Sequence, residues 1–377
     1  MFSKCAQSYD FCTMRDTVLT QLHAVQFKNH TQLDLEFSPT LNALVGNNGA
    51  GKTNVLDAIY YLCVTKSYFH PVDSHHIQHD APFFVVEGLF NEEKASQRVK
   101  VRCALKRGGK KSFTVDDVAY DRLAEHIGRF PVVMISPSDR DLLSEGSEVR
   151  RKFMDSIIAQ SNKEYLNHLL DYQKTVQQRN ALLKYFAANR TFSSEQLSLY
   201  NERLCRLAPK IHTARKEFVS AFSPLLQRFY DLLSGGQESV DFLYSSGLEH
   251  HSMEELLRMH ESRDRLTQYT TVGIHKDDLD FQLMGHPLKR VGSQGQQKSY
   301  LVALKLANFA LLVETMGRKP LLLLDDVFDK LDAQRVEALV SLVQAHEFGQ
   351  IFVSDTHPER TTDLVKRMDP NAAVFPL

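Results

Sequence analysis

The chain has 377 residues, enough for two or three compact units, and its 43% apolar and 24% charged residues are ordinary for a globular protein with a sizeable core. Its formal net charge of −1 excludes bulk basicity as a sign of nucleic-acid binding, so any polyanion-binding face must come from local clusters. Five scattered cysteines indicate neither a disulfide framework nor a zinc site and fit a reducing cytoplasm. No apolar run approaches the roughly 18–20 residues that span a bilayer, and the N-terminus lacks a secretory signal, so we predict a cytoplasmic protein without a membrane partner.

The first third of the chain is predicted to be rich in strands. Residues 1–17 are interpreted as an N-terminal extension, with Met14 as an alternative start. Alternating apolar residues then predict a hairpin with a polar turn at 28–30, and a strand at 41–46 that leads into a helix from Lys52 to about Val64. Further strands are predicted in the segments 82–90, 97–106, 111–120 and 131–136.

The middle of the chain, from about 147 to 233, has a helical pattern with one interruption near 190–194. Two long helices joined by a short polar loop should fold back as an antiparallel hairpin, and at 1.5 Å per residue this arm would reach on the order of 40–55 Å. In the last third, helices at 298–316, 333–346 and 358–368 alternate with strands at 320–325 and 350–354, which indicates an α/β sheet.

The segment "GNNGAGKT" has the spacing of a phosphate-binding loop and lies between a predicted strand and a predicted helix. Its glycines let backbone N–H groups face the phosphates, Lys52 would reach the β- and γ-phosphates of ATP, and the Thr53 hydroxyl would ligate Mg²⁺. The predicted nucleotide-binding residues of this loop are Gly46, Asn47, Asn48, Gly49, Ala50, Gly51, Lys52, Thr53 and Asn54.

The segment "PLLLLDDVFDKLD" places two adjacent carboxylates at the end of an apolar strand. Four consecutive leucines are typical of a central strand buried on both faces, and unpaired charges at its end would be costly without a metal ion or a reacting water. We therefore predict Asp325 as the Mg²⁺-side acid and Asp326 as the general base or the polariser of the attacking water, with Lys52 as the second catalytic residue.

Two segments compete for the role of an ABC-type signature, which must begin a long helix. "LSGGQES" at 233–239 matches the letters, but it follows a helix and precedes a strand pattern, so Gly235 and Gly236 are expected to form a helix C-cap. "GSQGQQKS" at 292–299 opens a helix that runs into the leucine strand. We therefore predict that Ser293, Gln294, Gly295 and Gln296 form the working signature.

With these motifs placed, the chain from about Leu19 to its C-terminus resembles the RecF family of bacterial recombination mediators. The resemblance is carried by six segments in one order, "LHAVQFKNHTQLDLEFSPTLNALVGNNGAGKTNVLDAI", "EVRRKFMDSIIAQ", "YLNHLLDYQKTVQQRNALLK", "GIHKDDLDF", "GSQGQQKS" and "LLLLDDVFDKLD".

The resemblance implies an α/β fold of the P-loop NTPase class, an ABC-ATPase head with two lobes. Lobe I would comprise residues 18–136 and 317–377, and the helical lobe II residues 137–316, with an arm at about 150–232. An ATP-dependent homodimer would hold each nucleotide between one subunit's loop and the other's signature, so that Ser293, Gly295 and Asp332 contact the partner subunit. The implied activity is a weak, DNA-stimulated ATPase that acts as a clamp in SOS-linked recombinational repair and replication restart, with mediators of the RecR and RecO type as partners.

Some positions depart from the family's pattern. Ala50 stands where glutamine is frequent, and no glutamine occurs near 136–139 to position the attacking water. The γ-phosphate sensor is left open among Ser354, Asp355, Thr356 and His357. A cluster of His75, His76 and His79 could chelate a metal, but a polar loop is the simpler interpretation because no matching Cys/His pair lies elsewhere.

Duplex DNA, or single-strand/duplex junctions at gaps, would need a local basic face. Candidates lie on the predicted hairpin at 97–120, at the start of the arm and along it. The candidate DNA-contacting residues are Lys106, Arg107, Lys110, Lys111, Arg150 and Arg151, with Lys174, Arg179 and Lys184 along the arm.

Three other functions share some of these motifs. A transporter motor subunit has the loop, signature and Asp-rich strand but no long arm. A chromosome-organising SMC-like protein carries hundreds of coiled-coil residues, far more than the helical stretch here. A non-catalytic nucleotide-gated scaffold would not need Asp326.

Overall fold

The computed structural model describes residues 15–92, 97–327, 333–344 and 348–377. Fifteen strands occur in these residues: β1 (Arg15–Phe27), β2 (His30–Glu36), β3 (Leu41–Val45), β4 (Phe83–Glu92), β5 (Gln97–Lys106), β6 (Ser112–Val115), β7 (Val118–Ala119), β8 (Val132–Ile135), β9 (Val240–Ser245), β10 (Asp278–Leu283), β11 (His286–Pro287), β12 (Arg318–Lys319), β13 (Leu321–Asp325), β14 (Ile351–Asp355) and β15 (Ala373–Pro376). The α-helices of the same residues are α1 (Lys52–Val64), α2 (Asp141–Ser144), α3 (Ser147–Ser161), α4 (Lys163–Asn189), α5 (Ser194–Ser234), α6 (Met253–Thr267), α7 (Leu288–Val291), α8 (Gln294–Met316), α9 (Ala333–Gln344) and α10 (Pro358–Met368).

A parallel sheet with the strand order β15-β3-β14-β13-β8 forms the centre of the molecule. Its strand β13 divides its side chains between two hydrophobic cores: Leu321 and Leu323 face one, and Leu322 and Leu324 face the other. Because strand side chains alternate in direction, a run of four leucines fits only a strand that is covered on both faces. The prediction of a central buried strand is therefore confirmed.

One face of the parallel sheet is covered by α1 and by a second sheet, which is antiparallel except that β12 pairs with β1 in parallel. That second sheet has the order β12-β1-β4-β5-β6-β7, with β2 paired to β1. The hairpin of β1 and β2 turns at Lys28 and Asn29, as the polar turn predicts, and Lys28 Nζ lies 2.6 Å from the buried Asp57 carboxylate of α1. This ion pair fixes the hairpin turn against the helix that follows the phosphate-binding loop.

The opposite face is covered by helices between residues 147 and 316 and by α9 and α10. The core on this side runs without interruption from the parallel sheet into α3, α4, α5 and α8. The two-lobe division at 136/137 and 316/317 therefore stays a proposal, because one continuous core crosses it.

The helical arm differs from the prediction in two ways. Residues 147–161 form the separate helix α3, since Asn162 ends it and caps α4, so the hairpin consists of α4 and α5 alone. The second half of α5 packs into the core through Phe218, Phe222 and Leu226, so only the distal part projects. Helix α4, with 27 residues, is about 40 Å long.

Helix α6 braces the arm through a buried ion pair. Arg179 Nη1 of α4 donates to Asp264 Oδ2 at 2.7 Å and to Thr270 Oγ1 at 2.9 Å, and both charged side chains are fully buried. The proposed DNA contact by Arg179 is therefore wrong, because a buried guanidinium cannot reach a phosphate. Lys174 and Lys184 on the same helix are exposed.

Helix α8 is long and apolar enough to meet the length and composition of a membrane span, which differs from the expectation that no such run occurs. In the protein, 78% of its most apolar window is buried, so it is the central helix of the core. The strand β15 and the break between β6 and β7 are further elements that the sequence pattern does not predict.

We expect His126 to make stability depend on pH. Burial lowers the pKa of His126 from 6.5 to about 4, and its ring nitrogens lie 2.7 Å from the Leu62 carbonyl at the end of α1 and 3.1 Å from the Tyr120 hydroxyl. Since the folded state disfavours the proton, its stabilisation is fully present above about pH 6.5 and is lost as the pH falls towards 4.

The variant His126→Gln should therefore show a shallower loss of unfolding free energy between these pH values, measured by denaturant titration at several pH values. The exposed His79→Gln is the control and should keep the wild-type slope. An unchanged slope in His126→Gln would contradict the assignment.

Candidate nucleotide-binding site

The phosphate-binding loop joins β3 to α1, the arrangement that its mechanism requires. Gly51 has a φ of 102°, and a Cβ there would lie 2.4 Å from His30 Nε2 and 2.7 Å from Asn29 Oδ1. Glycine is therefore required by both backbone conformation and space. The Asn29 side chain also donates to the Gly49 carbonyl at 3.1 Å, so the β1–β2 hairpin shapes the loop from outside.

Lys52 lies across the loop. Its Nζ donates to the carbonyls of Gly46 and Asn47 at 2.8 and 2.9 Å, and the residue is only 6% exposed. An ammonium held over loop carbonyls is placed where phosphate oxygens of a bound nucleotide would take over as acceptors. The loop is therefore arranged to bind the phosphates of a nucleotide.

The Asp325 carboxylate joins three strands and the P-loop helix. Its Oδ1 accepts from Thr53 Oγ1 at 2.7 Å and from Ser354 Oγ at 2.8 Å, and its Oδ2 accepts from Ser136 Oγ at 3.3 Å. A threonine hydroxyl beside a buried carboxylate is the oxygen pair that suits Mg²⁺. The arrangement brings the two predicted metal ligands, Thr53 and Asp325, together.

Asp326 has a left-handed backbone, with a φ of 46°. This conformation is uncommon for a residue with a side chain and is found mostly at turns and functional sites. The Asp326 N–H donates to Ser354 Oγ at 3.1 Å, so the same serine contacts both carboxylate residues. A cavity of about 200 Å³ lies against Asp325 and Asp326 and extends to Arg140 and Lys298.

The structure separates the two signature candidates by their position on a helix. Gly235 (φ 87°) is the C-cap of α5, and its N–H donates to the Asp231 carbonyl. Ser293 is the N-cap of α8, where its Oγ accepts from Gln296 N–H at 3.2 Å and its own N–H donates to Gln296 Oε1 at 2.8 Å. Only 293–296 therefore presents a helix N-terminus, the end that favours an anion.

A buried charge pair links the site to α8. Lys305 Nζ lies 2.7 Å from Asp139 Oδ1, and Asp139 Oδ2 accepts from the Ser136 N–H at 2.8 Å. Tyr68 donates to the same Asp139 carboxylate, and burial raises the pKa of this tyrosine well above its usual range, which keeps it a donor. The chain of contacts from Asp325 through Ser136 and Asp139 to Lys305 thus crosses the proposed boundary of the lobes.

The candidate DNA residues divide into exposed and internally bound groups. Lys106, Arg107 and Lys110 are exposed around the β5–β6 turn, and Arg107 Nε also donates to the Ala81 carbonyl at 3.3 Å. Three others make internal contacts: Lys111 with Asp73 at 2.8 Å, Arg150 with both oxygens of Asp278, and Arg151 with the Asp277 carbonyl at 2.6 Å. These contacts compete with phosphate binding, so we remove Lys111, Arg150 and Arg151 from the candidate surface.

The histidine cluster does not converge on a metal position. His76 is buried against Phe27 and Tyr61, whereas His79 is exposed beside Asp80. In the part of the chain that the structure describes, no group of three or more His, Cys, Asp or Glu residues could hold a metal ion. The polar-loop interpretation is the one this geometry favours.

Several supporting residues carry little or no sequence signal. Asn29 and His30 have a weak sequence signal, since they belong to the polar hairpin turn. Their contacts with the phosphate-binding loop depend on how β1 folds against α1. Asp139 and Lys305 are 166 residues apart and carry no motif. Asp332, the predicted partner-subunit contact, lies outside the described residues, as does Met14.

Comparison with known proteins decides the family. The family model "RecF/RecN/SMC N terminal domain" matches residues 18–375. A protein of Flavobacterium johnsoniae named "DNA replication and repair protein RecF" is 48% identical over 359 residues, which cover 95% of this chain and 99% of that protein. The chain belongs to the RecF family. A RecF-family protein of Phocaeicola vulgatus with the same name is 43% identical, covering 95% and 96% of the two chains.

Solved structures agree with this assignment. A RecF structure with ATP, described as a recombination mediator of the RecFOR pathway, has a TM-score of 0.84 and 28% identity, covering 92% of this chain and 93% of that chain. The Smc head domain of Pyrococcus furiosus has a TM-score of 0.53 and 16% identity, covering 93% and 92% of the chains, and shows the fold alone. The predicted ABC-ATPase head, and the resemblance that implied it, are confirmed.

We expect the Lys305→Met variant to be strongly destabilised. Removing the ammonium leaves the buried Asp139 carboxylate without its cation, which costs about 3–5 kcal/mol of unfolding free energy for a buried pair. Lys152→Met is the control, because Lys152 forms an exposed pair with Glu148 that contributes about 0.3–0.5 kcal/mol. Denaturant unfolding of both variants measures the difference, and similar losses would contradict the structural role of Lys305.

Proposed function

We propose that this RecF-family protein is an ATP-dependent DNA-binding clamp in recombinational DNA repair and replication restart. The observation that carries the proposal is the hydrogen bond between Thr53 of the P-loop and Asp325 of β13, together with the start of α8 at Ser293. These are the two halves of a nucleotide sandwich. The RecF names of the relatives and the ATP complex of the RecF structure support the same function.

We assign ATP and Mg²⁺ to this site. Gly46–Thr53 and Asn54 would surround the phosphates, Lys52 would neutralise the β- and γ-phosphates, and Thr53 with Asp325 would hold the metal ion. Asp326 would orient the water that attacks the γ-phosphate. The metal supplies charge neutralisation of the phosphates, and the chain supplies the positions of the reacting groups.

Among the four candidate sensors of the γ-phosphate, the internal contacts favour Thr356 and His357, and Thr356 Oγ1 lies 3.2 Å from His357 Nδ1. Ser354 is bound to Asp325 and Asp326, and the buried Asp355 accepts from the His357 N–H at 2.9 Å. The His357 side chain is 61% exposed at the start of α10, where it can approach a nucleotide that lies at the ends of β13 and β14.

A homodimer would complete the site. Ser293, Gln294, Gly295 and Gln296 present the N-terminus of α8, and in a dimer this end would contact the triphosphate held by the partner subunit. ATP would then join two copies, and hydrolysis would separate them. We expect slow turnover that rises when DNA is bound, because ATP here acts as a switch.

DNA would contact basic residues that the fold leaves exposed. Lys106, Arg107 and Lys110 form such a group at the β5–β6 turn, and a two-fold axis would duplicate it. We propose duplex DNA and single-strand/duplex junctions as ligands, RecR- and RecO-type mediators as partners, and the cytoplasm as the location. The similarity to a recombination mediator of the RecFOR pathway supports these partners.

The clamp predicts opposite effects of two substitutions on DNA retention. Lys52→Ala should lose ATP-dependent dimers and DNA retention, because the triphosphate loses its principal cation. Asp326→Asn should retain ATP binding but hydrolyse it slowly, which traps a closed dimer on duplex DNA. Light scattering measures the association state of each variant, and DNA-binding assays measure its DNA retention. Both are done with and without ATP. A wild-type protein whose dimerisation and DNA affinity do not respond to ATP would overturn the clamp.

The DNA surface predicts a salt-dependent loss in Lys106→Ala/Lys110→Ala. Each phosphate contact that is removed should make the slope of log affinity against log salt less negative by about 0.9 for duplex DNA. ATP-dependent dimerisation should stay unchanged, since these residues belong neither to the P-loop nor to the N-terminus of α8. Lys111→Ala is a matched comparison on the same turn, and its Lys111–Asp73 pair predicts little change in the slope. Equal slopes in the double variant and the wild type would exclude this surface.

A further inference from the structure

The literal signature "LSGGQES" contacts the working signature through one residue. Glu238 Oε1 accepts a hydrogen bond from Gln296 Nε2 at 2.6 Å. The segment therefore lies beside the N-terminus of α8, although it is the end of a different helix and is 55 residues from Ser293 in the chain.

Two left-handed glycines bring Glu238 to this place. Gly235 and Gly236 have φ values of 87° and 77°, and they turn the chain from the end of α5 towards β9. Two successive residues with positive φ favour glycine. The "SGG" letters are thus explained by a helix end and a turn, with no nucleotide contact required.

Two residues of α5 form hydrogen bonds with Glu238. Its Oε2 accepts from the Tyr230 hydroxyl at 2.5 Å, and the Tyr230 ring is fully buried. Gln227 Nε2 donates to the Glu238 carbonyl at 3.0 Å, while Gln227 Oε1 accepts from Val240 N–H at 2.7 Å. The carboxylate therefore has a fixed position relative to α5 and β9.

The consequence for Gln296 is a single orientation of its amide. With Nε2 donating to Glu238, Oε1 faces the Ser293 N–H, from which it accepts at 2.8 Å. A flipped amide would place donor against donor at Ser293 and acceptor against acceptor at Glu238. The Ser293 hydroxyl, which accepts from Gln296 N–H, keeps its own hydrogen to donate to an anion.

We propose that Glu238 is a positioning residue of the signature, which orients Gln296 and, through it, Ser293 for the nucleotide of the partner subunit. The inference rests on the proposed clamp, because the orientation matters only if Ser293 meets a triphosphate across a dimer. Glu238 acts through Gln296 and does not itself touch nucleotide.

The test compares ATP-dependent dimerisation of Glu238→Ala, Gln296→Ala and the double variant, using a non-hydrolysable ATP analogue and sedimentation. Loss of a charge-assisted hydrogen bond should raise the dimer dissociation constant about 10-fold or more in each single variant. The double variant should be no weaker than the weaker single variant, because both remove the same interaction. Nucleotide binding to the monomer should not change, since the P-loop is intact.

Three further variants separate positioning from a loss of structure. Glu238→Gln keeps an acceptor for Gln296 and should restore most of the dimerisation. Tyr230→Phe removes the hydroxyl that donates to Glu238 Oε2 and, like Glu238→Ala, should raise the dimer dissociation constant. The exposed neighbour Gln237→Ala should match the wild type, whereas a nucleotide-binding role of the literal signature would make it defective.

Two results would overturn the inference while leaving the clamp intact: normal dimerisation of Glu238→Ala, or effects of Glu238→Ala and Gln296→Ala that add. A wild-type protein that stays monomeric with nucleotide would overturn the clamp and this inference together. The wild-type measurement therefore distinguishes the two failures.

Discussion

The Asp325 carboxylate at the end of β13 is the interaction on which the site depends. It accepts hydrogen bonds from Thr53, Ser354 and Ser136, which follow or end three other strands of the parallel sheet. Burying a carboxylate costs free energy unless its oxygens accept hydrogen bonds. The folded state therefore needs these donors next to Asp325. The position of the P-loop relative to β13 follows from this requirement.

The same carboxylate is the first member of a buried polar path towards α8. Ser136 joins Asp325 to the segment after β8, and the Asp139–Lys305 pair joins that segment to α8, whose N-terminus carries the proposed signature. Buried polar contacts thus connect the Asp325 end of the site to α8. These contacts pass through residues 136–139, the segment in which the sequence has no glutamine to position the attacking water. They are made by Ser136, Asp139 and Lys305.

The two copies of signature-like letters illustrate how backbone conformation decides function. The same residue types, Ser, Gly and Gln, end a helix at 234–237 and begin one at 293–296. A helix C-terminus presents carbonyls and a negative dipole end, whereas an N-terminus presents N–H groups and attracts an anion. The hydrogen bond between Glu238 and Gln296 joins the two segments, and we propose that the first positions the second.

The sequence by itself determined the elements whose patterns are local. The P-loop, the run of four leucines with its two aspartates, the helix start at Ser293 and the hairpin turn at 28–30 follow from spacing, periodicity and capping chemistry. The ABC-ATPase fold was implied by the resemblance of six segments, in one order along the chain, to the RecF family. The division of α3 from the arm was missed, since Asn162 caps a new helix within a continuous helical pattern.

Only the tertiary structure decided which charged residues are available. Arg179, Arg150 and Lys111 have the composition of a DNA-binding face, yet each is bound to an acid that lies far away in the sequence: Asp264, Asp278 and Asp73. Lys305 and Glu238 likewise acquire their roles from partners on other elements. Such contacts depend on how helices and strands pack, and no local pattern of residues records the burial that makes an ion pair structural.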